Sequence, residues 1–310
     1  MPHHSVTTPM DPPLADDREA LAFSVEVGGA RVRTWLYPAA GPQHGIVLAV
    51  HGFRGDHHGL RRLVNALPHH TVIVPDLPGF GASTPFTDPC FTHSAPGYVP
   101  VVTELAEVLD LPASTVLLGH SFGSVVAANT VAARPELFSR LVLVNPICRP
   151  ALQTSASQAL STAVVAGYYE LSAVLPRRLG EAILRARLVV DITTAAMLTS
   201  RDPSVKEYVR DQHRTYFAAF SDPETLLSAY LSSITHSVRD VASTITIPTL
   251  LVAGEKDPLG SVKGQQRLAA MIPDAQLDVI PDVGHLIHYE TPASAAAFVE
   301  NFLGTTSEVG

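Results

Sequence analysis

Ser121 stands between two glycines in Gly119-His120-Ser121-Phe122-Gly123, directly after the apolar run Val116 to Leu118 and before a segment with helical periodicity. A strand, a sharp turn and a helix in that order hold a serine up at the C-terminal edge of a sheet, and flanking glycines let neighbouring backbone come close. A serine hydroxyl is a weak nucleophile at neutral pH. It needs a base within hydrogen-bond reach and a carboxylate that fixes the base's tautomer. His285, in Val283-Gly284-His285, and Asp257, in Gly254-Glu255-Lys256-Asp257, supply those types, each in a loop that follows an apolar run. Acyl transfer also needs donors for a developing oxyanion, and backbone N–H groups serve without reorganising. The Phe122 N–H is one candidate, and the Phe53 N–H in His51-Gly52-Phe53 is the second.

Blander roles compete for the same residues. A serine at a helix start commonly caps backbone donors, an Asp-Pro pair such as Asp257-Pro258 commonly starts a turn, and Asp282 lies only three residues before His285. Asn145, after the run Leu141 to Val144, occupies a place from which a carboxylate could have replaced Asp257. His51 and His120 flank the site and are expected to support loop geometry. The pairs His3-His4, His57-His58 and His69-His70 read as solvated loops, since adjacent side chains diverge and no Cys or acid recurs at ligand spacing. Asp76-Leu77-Pro78-Gly79-Phe80-Gly81 is glycine-rich but lacks the spacing of a phosphate cradle and reads as a strand-end turn.

The elements that must position these residues are legible from periodicity. Leu21 to Val27 and Ala30 to Tyr37 alternate and meet at Gly28-Gly29, which predicts an antiparallel hairpin. Apolar runs at Ile46 to Val50, Val72 to Val74, Val116 to Leu118, Leu141 to Val144, Leu250 to Ala253 and Leu277 to Ile280 suit strands buried on both faces. Helical segments alternate with them at Leu60 to Leu67, Val99 to Leu109, Phe122 to Ala133, Val262 to Met271 and Ala293 to Phe302. The alternation implies an α/β fold with a parallel sheet and helices on both faces. It breaks between Pro146 and Thr246, a mainly helical stretch without a convincing strand. The expected organisation is a mobile tail over residues 1–18, a core over 19–146 and 244–310, and an inserted helical cap over 147–243. Within the cap, Val164, Val165, Tyr168, Tyr169, Leu171, Val174 and Leu175 form an apolar stripe that packs on the core or walls a pocket, and Tyr168 and Tyr169 are the pocket candidates.

With 46% hydrophobic and 16% charged residues the 310-residue chain can bury a full core. A formal charge of -8 without a basic run argues against a nucleic-acid surface and for small neutral or apolar substrates. Two cysteines, Cys90 and Cys148, make no disulfide framework and are expected to be reduced. Met1 to Asp17 lacks the pattern of a signal peptide, and Ala151 to Tyr169 is too interrupted by polar residues to span a bilayer. A cytoplasmic protein without a membrane span is the expectation; oligomeric state is left open.

Taken together, His51-Gly52-Phe53, Asp76 to Gly81, Gly119 to Gly123, Leu141 to Asn145, Gly254 to Asp257 and Gly284-His285 resemble the landmarks of the α/β-hydrolase family, in order, from about Leu21 to Leu303 except for the cap. The resemblance implies an eight-stranded, mostly parallel sheet, a triad in the order Ser, Asp, His, no metal or organic cofactor, and a cap that shapes the substrate pocket. Epoxide hydrolases and haloalkane dehalogenases carry Asp where this chain has Ser121. Carbon–carbon bond hydrolases carry a fuller Gly-Pro-Gly signature than Arg54-Gly55-Asp56-His57-His58, and the His-Gly-Gly-Gly loop of hormone-sensitive-lipase relatives is absent. His51-Gly52-Phe53 with Asp76 to Gly81 also resembles the lyase of menaquinone synthesis, which uses the same triad for elimination. The leading expectation is hydrolysis of a carboxylic ester through an acyl-enzyme at Ser121. The alternatives are a lyase or carbon–carbon hydrolase acting on a metabolite carboxylate, which would draw on Arg177, Arg178, Arg185 and Arg187 in the cap, and a ligand receptor on a hydrolase fold.

Overall fold

The computed structural model describes residues 18–151 and 156–304, with backbone only for 156–161. The expected tail, apart from Arg18, and the pair His3-His4 lie outside the described residues. Arg18 itself is held, its guanidinium donating to the carbonyls of Tyr37, Val64 and His70 at 2.8 Å each.

Strands β1 (Leu21–Val27) and β2 (Ala30–Tyr37) form the expected hairpin, with Gly28 and Gly29 at φ of 55° and 69°, which side chains rarely tolerate. Next come β3 (Gly45–Val50), α1 (His57–Asn65), β4 (His70–Pro75), α2 (Val99–Val108), β5 (Val116–His120), α3 (Phe122–Ala133) and β6 (Arg140–Val144). After the inserted segment the chain returns through β7 (Thr249–Gly254), α9 (Val262–Ala269), β8 (Ala275–Ile280), α10 (Ile287–Glu290) and α11 (Pro292–Gly304). The eight strands make one sheet in the order β1-β2-β4-β3-β5-β6-β7-β8, antiparallel at β1-β2 and β2-β4 and parallel elsewhere. The fold class read from the sequence holds.

Period-two alternation divides the core. Leu48, Val50, Leu117, Leu141, Leu143 and Leu251 point to one face, where α2, α3 and α9 pack, and Val47, Ala49, Val116, Leu118, Val142 and Val252 point to the other, covered by α1 and α11. Both faces are therefore dry, which explains why the strands read as continuous apolar runs. The winding reverses between β3 and β5, which pair in parallel from Val47↔Val116 to Val50↔Gly119. The C-terminal edge at such a reversal leaves a crevice between loops that turn to opposite faces.

Among the described residues, five α-helices lie between β6 and β7: α4 (Ala156–Val174), α5 (Arg177–Leu184), α6 (Arg187–Met197), α7 (Pro203–Tyr216) and α8 (Pro223–Thr235). This segment is sewn to the loop after β4 by backbone bonds, Gly81 N–H to the Ala219 carbonyl at 2.8 Å and Ser221 N–H to the Gly79 carbonyl at 2.9 Å. Tyr169, Leu184, Phe220 and Tyr230 continue the apolar cluster of the core. One expectation fails in part. Of the apolar stripe on α4, Val164, Leu171 and Val174 are 66%, 56% and 79% exposed and Val165 is exposed too, so they neither pack on the core nor wall a pocket. The reason is packing: α4 meets α5 and α8 through its other side, where Tyr169 is buried.

Candidate active site

The turn between β5 and α3 holds Ser121 at φ 52° and ψ −117°, a left-handed conformation costly for any residue with a side chain. The sequence permits it through its neighbours. A Cβ at Gly119 would run into the Gly123 carbonyl, and one at Gly123 into the Val50 and His51 carbonyls. The Ser121 side chain does not cap α3, so the helix-start role does not apply. Its Oγ lies 2.8 Å from His285 Nε2, and His285 Nδ1 lies 2.9 Å from Asp257 Oδ2. Ser121, Asp257 and His285 are 9%, 6% and 4% exposed, so these bonds sit where water competes little. An Nδ1–H donated to Asp257 leaves Nε2 as the acceptor facing the serine. Asp282 lies elsewhere: it is exposed and pairs with Lys256 at 2.6 Å.

Asn145 connects the two partner loops. At φ 43°, it donates from Nδ2 to the carbonyls of Gly284 and His285, both at 2.9 Å, and its Oδ1 accepts the Gly254 N–H at 2.7 Å. The asparagine thus ties the end of the Asp257 strand to the His285 loop. From its place in the sequence Asn145 shows only that no acid stands there. Its left-handed backbone favours Asn, a requirement visible only in the structure.

The loop after β3 reaches the same edge. A Cβ on Gly52 would stand 3.3 Å from Ser121 Cβ and 3.1 Å from His120 Nδ1, so this glycine brings the Phe53 backbone against the serine turn. His51 fixes the loop: its Nδ1–H donates to the Gly52 carbonyl at 2.8 Å while Nε2 accepts the Leu77 N–H at 2.9 Å. That bonding requires a neutral ring, and burial, the largest influence, depresses its pKa. Burial, with repulsion from His285 next, pushes His120 down to about 3. The His120 ring lies tilted against that of His288 at 3.9 Å, which burial and its histidine neighbours also keep neutral.

The Phe53 ring meets Tyr169 of α4 at 5.9 Å and Tyr230 of α8 at 5.8 Å, and the two tyrosines stack at 4.3 Å. Tyr168, the other pocket candidate, instead donates from its hydroxyl to the Ile183 carbonyl at 2.9 Å. Neither Tyr230 nor Arg54 was singled out from the sequence. Arg54 follows Phe53, is buried, and donates to the carbonyls of Leu184 at 2.8 Å and Phe217 at 3.1 Å, with the Tyr169 hydroxyl 3.4 Å away. Helical periodicity could have flagged Tyr230, but Arg54 left no pattern, because its acceptors are main-chain carbonyls.

The paired histidines need correction as well. His57 is buried, stacked on Trp35 at 3.9 Å and tilted against His58 at 3.8 Å, with Nδ1 2.9 Å from Asp76 Oδ1; His58 stacks on Tyr216 of α7 at 3.6 Å. His70 is also buried, 3.2 Å from Glu300. His57 and His58 are the first two residues of α1, after the extended N-cap Asp56, and there their rings approach to 3.8 Å instead of diverging. Burial raises the Asp76 pKa most, yet bonds from His57 and Ala82 bring it below the usual range. Among the described residues Asp56, His57 and His58 form the one group whose ligand atoms, within 4.8 Å of one another, could hold a metal. Asp56 is already committed to the His58 N–H at 2.9 Å, and the positive end of α1 disfavours a cation there. Cys90 and Cys148 are free, and no helix among the described residues is long and apolar enough to cross a membrane.

Comparison with known proteins matches residues 46–298 to the model of the alpha/beta hydrolase family. An uncharacterised protein of Mycobacterium bovis is 27% identical over 286 residues, covering 88% of this chain and 79% of its own length. Lipase 3 of a Moraxella species is 25% identical over 255 residues, covering 77% of this chain and 71% of that protein. A thermophilic esterase from Thermogutta terrifontis superposes with a TM-score of 0.72 at 22% identity, over 93% of this chain and 98% of that one, which is a shared fold.

Proposed function

The chain belongs to the α/β-hydrolase family, and from that premise we propose that it is a serine hydrolase that cleaves carboxylic esters of small to medium apolar substrates through an acyl-enzyme. The observation that carries the proposal is the unbroken line from Ser121 Oγ to His285 Nε2 at 2.8 Å and from His285 Nδ1 to Asp257 at 2.9 Å. In this reading His285 takes the hydroxyl proton as Ser121 attacks the ester carbonyl and returns it to the leaving alkoxide. Asp257 stabilises the imidazolium in between. The N–H groups of Phe53 and Phe122 hold the oxyanion, and water repeats the cycle to release the acid.

An apolar substrate fits the ring cluster of Phe53, Tyr169 and Tyr230 next to the serine turn. Tyr168 would support Tyr169 from behind, at 5.3 Å between rings. Residues 147–243 act as a cap in this reading, and Arg54 is the pin that holds it over the site. A lipase among the relatives supports ester chemistry. The lyase and carbon–carbon alternatives lose their best support, since Arg177, Arg178, Arg185 and Arg187 are all exposed. A cytoplasmic location accords with two free cysteines.

The test is initial rates on p-nitrophenyl esters from acetyl to palmitoyl, with Ser121→Ala as control. Activity that falls to background in the folded variant supports the reading, and the chain-length optimum reports pocket depth. A folded wild-type protein inactive on every ester refutes it.

A further inference from the structure

Away from Ser121, helices α6 and α7 enclose a cleft of about 340 Å³. Its wall carries three cations, Arg201 before α7 and Lys206 and Arg210 one turn apart on it. Among the described residues no carboxylate lies within ion-pair distance of any of them. Asp191 is the one acid on the wall, and Arg214 already binds it through two bonds at 2.8 and 2.6 Å. Asp202 is spent on capping α7 at Ser204 N, 2.8 Å, and Asp282, which feels Arg201 at longer range, is paired with Lys256. In a chain of formal charge -8, three cations without a direct ion pair make the wall of this cleft locally basic, even with Asp191 within reach of Arg210 and with Glu290 bonded behind Thr199.

Like charges gathered without direct ion pairs repel one another, and an oxyanion between them relieves that repulsion while accepting charge-assisted hydrogen bonds. We propose that this cleft is a second ligand site, separate from the serine site, that takes a small molecule bearing a phosphate group. A dianionic head group matches the surplus of cations better than a single carboxylate, and the cleft is in the size range of small-molecule sites. Its wall includes Thr199, whose Oγ1 accepts the N–H of Gly284, next to His285, at 2.8 Å. A ligand here therefore rests on the segment that supports the base loop.

The experiment titrates the full-length protein with inorganic phosphate and with glycerol phosphate by calorimetry, in a zwitterionic buffer with ionic strength held constant by sodium chloride. Wild type and Ser121→Ala should bind with the same saturable affinity. Lys206→Gln and Arg210→Gln should each weaken binding about 10-fold or more. Unfolding temperatures without phosphate identify a variant that fails to fold, and the other single variant then carries the test. Absence of saturable binding, binding lost in Ser121→Ala, or affinities unchanged within twofold in both charge variants overturns the proposal.

Discussion

Replacing Asn145 by alanine removes three bonds at once, the two it donates to Gly284 and His285 and the one it accepts from Gly254. All are buried, so water cannot take the place of the amide without a rearrangement. Losing the bonds costs about 1 kcal/mol each, and the orphaned Gly254 N–H adds desolvation. Alanine also tolerates the φ of 43° less well than asparagine, at about 1 kcal/mol. With about 1 kcal/mol for that desolvation the sum is about 5 kcal/mol, which for a chain of this size lowers Tm by about 8 °C. The larger effect is on turnover, because the lost bonds set the Asp257 strand against the His285 loop. A shift of the base by 1 Å costs about 100-fold in rate. Differential scanning calorimetry and ester hydrolysis on the same preparation read both. Asn145→Asp is the sharper control: its carboxylate would face two carbonyl oxygens, so its folded pKa is raised above the unfolded value. Stability relative to wild type is then retained at low pH and lost as pH rises through the raised value, by about 1.4 kcal/mol per unit. A Tm within 2 °C of wild type with unchanged kcat in Asn145→Ala would refute the bracing role.

Ser121→Gly should unfold at a higher temperature than Ser121→Ala, by about 2–4 °C, because glycine relieves about 1–2 kcal/mol of strain at φ 52° whereas alanine keeps it; equal Tm values would contradict that. Asp257→Asn should lower kcat by about 10² to 10⁴ while Asp282→Asn leaves it unchanged, since only Asp257 touches His285. Acid should destabilise the protein below pH 6.5, where unfolded histidines take up protons that buried His51, His120, His213 and His288 refuse. The stabilising contribution of each is complete above 6.5 and falls by about 1.4 kcal/mol per pH unit toward the folded value, about 3 for His120 and His213. Urea titrations at pH 7.5 and 5.5 measure the loss, and a flat profile would show the rings to be accessible. Arg54→Met keeps the apolar stem but deletes the bonds to Leu184 and Phe217, so limited proteolysis should cut within residues 177–220 faster than in wild type.

Strands were legible because burial on both faces leaves only apolar side chains acceptable, and an unbroken run such as Leu141 to Val144 has no other comfortable home. The serine turn was legible for a related reason: Gly119 and Gly123 are demanded by backbone that passes within contact, so a geometric need left a mark in residue type. Asn145 and Arg54 left no comparable mark. Their partners are main-chain groups of Gly254, Gly284, His285, Leu184 and Phe217, and every residue carries those groups whatever its letter. Which carbonyl a side chain reaches depends on how distant segments dock, and that docking is set by the whole core.

The helical insertion misled for the opposite reason. Val164, Leu171 and Val174 carry the spacing of a buried face, yet α4 turns that face to solvent and buries Tyr169 instead. Tyr169 gains ring contacts with Phe53 and Tyr230 beside Ser121 and accepts a bond from Arg54. An aromatic residue buries more area than a valine, so one well-placed tyrosine can decide which side of a helix faces inward. Apolar periodicity gives the helix; it is the larger ring, with a hydroxyl that needs a partner, that sets the rotation. Tyr169→Ala should therefore free α4 to roll about its axis and bring the Val164, Leu171 and Val174 stripe partly inward, which slower amide exchange and lower dye binding on that face would register.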